Sequence, residues 1–161
     1  MITVRLVRLI ERNSDELTDT LLTKFYSSPR TGELQKVPRH ELRQRCHEIL
    51  RHLSDWLLSK SGTDIEQRYR KIGSLRATQG ISLAAVTWGI VLMKEHIWDF
   101  LQREGFLRGP LEIYGALELQ RLLDQFFDHA ICYCVAGYEE ATLQTVAVSS
   151  ARNAPPSAAA L

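Results

Sequence analysis

Apolar residues along this chain recur at intervals of three and four, and strand-like alternation is scarce. The pattern predicts a helix over Ile2–Ser27, with a break at Asn13, where Asn13 and Glu16 match a capping box. Leu17, Leu21 and Phe25 continue one face. PRTGELQKV, from Pro29 to Val37, reads as a loop. Pro38 suits the first turn of the next helix, which the stripe Leu42, Cys46, Ile49, Leu50, Leu53 and Leu57 carries to Lys60. Gly62 closes that helix. Thr63 with Glu66 then caps a short helix holding Ile65, Tyr69 and Ile72.

The segment LAAVTWGIVLM (Leu83 to Met93) contains one polar side chain, Thr87. A helix that is apolar nearly all round must be covered on more than one side. It is therefore a central helix, a partner-binding helix, or both. Leu83, Val86, Ile90, Met93, Ile97 and Phe100 form one stripe; Ala84, Ala85, Trp88, Val91 and Leu92 form a second. Gly89 invites close approach of another helix. The spacing predicts this helix from Ser82 to Glu104, with Gly105 as its stop.

A last long helix starts at Pro110 or Leu111. Its core stripe runs Leu119, Leu122, Leu123, Phe126, Phe127, Ala130, Ile131, Cys134, Tyr138. Leu143, Val146 and Val148 keep helical spacing beyond it, as a projecting stalk would. The division expected is a body over 1–145 and a linker or disordered tail over 146–161, because SSARNAPPSAAAL lacks aromatics and contains Pro. The fold class is all-α, with about five to six helices.

Charge changes this picture little. Lys plus Arg is 20 and Asp plus Glu is 19, for a net charge of +1. That balance gives no case for nucleic acid. No apolar run approaches the ~18 residues of a membrane span, and MITVRLVRLIER, which alternates apolar residues with Arg, is no signal peptide. Three cysteines without a regular framework indicate reduced thiols and a cytoplasmic location.

Candidate chemistry is sparse. His96, with Trp98 and Phe100 nearby, is the candidate axial haem ligand; the competing reading is a boundary histidine, partly solvated and bonded to a carbonyl or carboxylate. His40, His47 and His52 lie on a charged helix, with Glu48 and His52 as a solvated pair. Cys132 and Cys134 point about 200° apart on a helix, so with His129 they make no metal site. Cys134 falls on the core stripe and Cys132 off it. No phosphate loop, HExxH, GxSxG or CxxC occurs, and adjacent carboxylates such as Glu139 and Glu140 point apart. No catalytic residue, metal or cofactor is expected. Arg76, Thr78, Gln79 and Gly80 form a junction between helices, read as capping with Gly80 at positive φ, or else as a polar site or interface latch.

The pieces ELRQRCHEILRHLSDWL, YRKIGSLRATQGISLAAV, VLMKEHIWDFL and FFDHAICYCVAGYEEA together resemble the RsbR/RsbRD-type N-terminal sensor domain of bacterial stress-signalling proteins. The resemblance covers nearly all of residues 1–142. It implies a globin-like helical bundle that usually binds no haem. It also implies a homodimer, and a signal-input role feeding an output domain or partner protein. The candidate interface and signal residues are Arg76, Gln79, Ala85, Trp88, Gly89 and Leu92. No output domain follows residue 161, so the chain is either free-standing or a piece of a longer protein. A haem or tetrapyrrole sensor using His96, and a plain helical scaffold, are the other two readings.

Overall fold

Thr3, Leu6, Val7 and Ile10 are buried, the three-and-four spacing of one helical face, and they define α1 (Ile2–Arg12). The computed structural model describes residues 2–104 and 108–156. α2 (Ser14–Ser27) follows after a break at Asn13. The break falls where expected, but its chemistry differs. The Asn13 side-chain amide donates back to the Leu9 carbonyl at 2.8 Å, so it closes α1 and forms no capping box with Glu16.

The stretch expected as loop contains a 3-10 turn, Gly32–Lys36. The Thr31 hydroxyl donates to the Phe25 carbonyl at 2.8 Å, which folds the turn under α2 and buries Leu34. α3 (Arg39–Arg51) begins just after Pro38. It ends nine residues before Lys60, because a π turn over Asp55–Ser59 re-aims the chain and buries Trp56.

α4 (Gly62–Thr78) is 17 residues long, against the short helix expected. Its capping box is Ser61 with Asp64, two residues earlier than Thr63 with Glu66. Gly62 therefore opens this helix and does not close the one before. Gly80 takes φ +70°, as the junction requires. The Ser82 hydroxyl then caps α5 (Leu83–Arg103) by accepting from the Ala85 N–H. Gly105, the expected stop, lies outside the described residues. α6 (Pro110–Arg152) has Pro110 in its first turn and runs 43 residues.

Among the described residues there are six α-helices and no strand, which matches the all-α expectation. α6 lies along α4 and also packs on α1 and α5. Close helix approach occurs at Gly73 and Gly137, between α4 and α6. A Cβ at Gly73 would fall 2.0 Å from the Cys134 carbonyl oxygen, and one at Gly137 would fall 2.1 Å from that of Arg70. Gly89 differs from expectation. It faces the Leu34 side chain of the 3-10 turn, not another helix. No helix among the described residues is long and apolar enough to cross a membrane.

Candidate functional site

The α4–α5 junction gathers polar contacts from three other parts of the fold. Arg76 is 3% exposed on the last turns of α4. Its Nη1 donates to Glu41 Oε1 of α3 at 2.8 Å and to Gln79 Oε1 at 2.7 Å. Gln79 ends the helix through its backbone N–H, bonded to the Leu75 and Ala77 carbonyls, and its side-chain oxygen is left to accept from Arg76. Lys36 of the 3-10 turn donates to the Gly80 carbonyl at 3.3 Å. The Ser82 hydroxyl, besides capping α5, donates to the Glu33 carboxylate, which holds that carboxyl below its usual range. The Tyr138 hydroxyl of α6 donates to the Ile81 carbonyl at 2.7 Å. Ile81 itself is fully buried. The junction is thus capped, as its sequence suggests, and is also a node joining α3, the 3-10 turn and α6.

An apolar crevice of about 80 Å³ lies beside this node, between α3, α4 and α5. Arg76 and Gly89 both line it, with Cys46, Tyr69, Val86 and Met93. Burial pushes the Cys46 thiol up to about 12, and it pushes the Tyr69 phenol up as well. Both are neutral at physiological pH, and the Tyr69 hydroxyl is buried without a hydrogen-bond partner. Such walls offer no nucleophile and no acid–base pair; they suit packing or a small apolar guest.

The other candidates fall elsewhere. Ala85 is buried in the core; Leu92 is half-buried against it. Trp88 is half-buried with the Arg30 guanidinium 3.9 Å above its ring centroid. Much of the second face of α5 is therefore covered within the chain, although Ala84 stays exposed.

His96 departs from the boundary position expected of it. It is 3% exposed, and its Nε2 sits 3.1 Å from the Leu17 carbonyl and 2.9 Å from the Thr20 hydroxyl, both on α2. A carbonyl only accepts, so Nε2 carries the proton and Nδ1 is left buried with no partner. Burial, then the charge of Lys24, holds its pKa below the ordinary histidine value. Its Nε2 is engaged by α2, and His96 does not line the crevice.

Glu48 pairs with Arg68 at 2.9 Å and not with His52, which lies 3.9 Å from Asp55. Cys134 is buried and Cys132 exposed. Among the described residues no group of three His, Cys, Asp or Glu could hold a metal ion. The sequence reading passed over Glu41, Tyr138 and Glu33. Only Tyr138 left a signal, as the last member of the α6 stripe.

Residues 11–152 match the family model RsbRD_N, described as the RsbT co-antagonist protein rsbRD N-terminal domain. No curated protein and no solved structure matches the chain. A match over so much of its length means that the chain belongs to the RsbRD N-terminal family, a family of stress-signalling regulatory domains.

Proposed function

We propose that this chain is a non-catalytic signal-input domain, that it works as a homodimer, and that α6 carries its output. The observation that carries this reading is the Tyr138–Ile81 hydrogen bond. Tyr138 is the last position of the core stripe, and its bond ties the junction node to the point where α6 leaves the body. Beyond it, Leu143, Val146 and Val148 are 69%, 58% and 54% exposed, yet the helix continues to Arg152. A short projecting helix is marginal alone and is stabilised by a partner. A second copy of α6 supplies apolar cover of the same register.

In this reading a change at the node or crevice shifts α6 through Tyr138, and the shift reaches whatever α6 joins or meets. The family's description points to antagonism of RsbT as the setting in which such an input is used. Light scattering should report about twice 18.4 kDa at micromolar concentration. In a Cys132→Ser background, Leu143→Cys should form an oxidised dimer, and adding Tyr138→Phe should change the cross-linking yield. A monomer at high concentration with no cross-link would remove the homodimer. An unchanged yield would remove the coupling.

A further inference from the structure

The arginines interleaved along the N-terminal segment serve no role in the core or the node. Arg5, Arg8 and Arg12 are exposed on one face of α1, and Arg108 lies opposite them. All four line a groove of about 470 Å³. Among the described residues none of them has a carboxylate within 4.0 Å, whereas Arg43, Arg68, Arg70 and Arg76 all do. In a chain of net charge +1, four unpaired guanidinia on one groove are a strong local excess. The dipole of α1 accounts for Arg12 in its last turn. It does not account for Arg5, Arg8 or Arg108.

We propose that this groove docks an acidic amphipathic helix of a partner protein. Arg5, Arg8 and Arg12 repeat at three and four, so their charges spread over about 10 Å along α1, the spacing at which one face of a helix presents carboxylates. Guanidinium forks favour bidentate carboxylate pairing. The floor is apolar, from Ile2, Leu6 and Leu9. That floor suits the leucine edge of an amphipathic helix and is of no use to a phosphate backbone. Glu112, also on the groove wall, opposes a dense polyanion more than a helix with spaced charges.

The test uses the full chain and a synthetic amphipathic peptide of about five helical turns, with Glu at every third or fourth position and Leu along one edge. A second peptide carries Gln for every Glu. Fluorescence anisotropy at low salt should show saturable binding of the Glu peptide, weakened by added salt, and binding of the Gln peptide at least about tenfold weaker. Arg5→Gln and Arg8→Gln should each weaken binding about two- to fivefold, and Arg108→Gln similarly, with circular dichroism and thermal midpoint unchanged because these side chains are solvated. Equal binding of the two peptides, or binding unaffected by the arginine changes, would overturn the proposal. So would a single-stranded RNA of equal charge, or vesicles containing phosphatidylserine, binding more tightly than the Glu peptide.

Discussion

Gly73 lies directly against the backbone of Cys134: a Cβ at position 73 would stand 2.0 Å from the Cys134 carbonyl oxygen. Gly137 meets Arg70 in the same way, so α4 and α6 touch backbone to backbone at two points about one turn apart. Adding a methyl at either site forces the helices apart. Gly73→Ala and Gly137→Ala are each expected to cost about 3 kcal/mol or more, at the upper end of overpacking. Gly89→Ala should be within about 1 kcal/mol of wild type, because only the Leu34 side-chain tip must move and helix propensity rises. Urea unfolding of the three variants checks the order. A Gly89→Ala more damaging than Gly73→Ala would reverse it.

These glycines also show where the sequence was legible. The stripe Leu42–Leu53 is buried as its periodicity requires, and so is Leu119–Cys134 apart from the half-buried Leu122 and Ile131, because a helix face is written in residue type. Gly80 and Ser82 were readable for the same reason: positive φ and a hydroxyl cap are local demands. The close approach was assigned to Gly89, since that glycine stands in the most apolar run. The crossing glycines instead lie on α4 and α6, and a crossing point depends on two helices at once. The node was half visible. Arg76 and Gln79 stand close in sequence, but Glu41 is 35 residues from Arg76 and Tyr138 is 57 from Ile81. Local pattern carries no trace of pairs that distant. The same is true of the groove on α1, because Arg108 joins it from the residues just before α6.

Arg76 closes the node through one nitrogen, and Glu41 is its carboxylate partner. Arg76→Met keeps most of the buried stem and removes the charge. It leaves Glu41 without its cation, and breaking a buried pair typically costs 3–5 kcal/mol. Glu41 retains a quarter of its side-chain exposure, so about 2–3 kcal/mol is expected here. The double variant Arg76→Met with Glu41→Gln should recover part of that loss. A double-mutant cycle in urea measures it. Strict additivity of the two single changes would show that the pair contributes no coupling.

His96 makes stability depend on pH. Its pKa in the folded state is lowered, chiefly by burial. Between that lowered value and the ordinary 6.5, the unfolded chain binds the extra proton and the folded chain does not. Its contribution is thus complete above 6.5 and is lost as pH falls through that window. The structural cause is the Nδ1 position, which has no acceptor for a second N–H. Urea midpoints at pH 7.5 and 5.5 should differ more for the wild type than for His96→Gln, which cannot charge. An equal difference in both proteins would place the titration elsewhere.

The final helix sets the last expectation. Cys134 and Gly137 are buried and Tyr138 is hydrogen-bonded to Ile81, whereas Leu143, Val146 and Val148 are exposed. The amides through Tyr138 are held by core packing, and those from Leu143 onward only by helix and by any partner. Hydrogen exchange should therefore be slow to about Tyr138, intermediate to about Arg152, and fast after it. Raising protein concentration should slow exchange in residues 143–152 if a second copy covers them, and leave residues 119–134 unchanged. Among the described residues, truncation after residue 148 removes only exposed positions, and it should leave the thermal midpoint within a few degrees. Truncation after residue 130 removes Cys134, Gly137 and the Tyr138 bond, strips α4 of its backbone contact, and should unfold the chain. Uniform protection from Leu119 to Arg152 in dilute protein would show instead that the end of α6 is held by its own body.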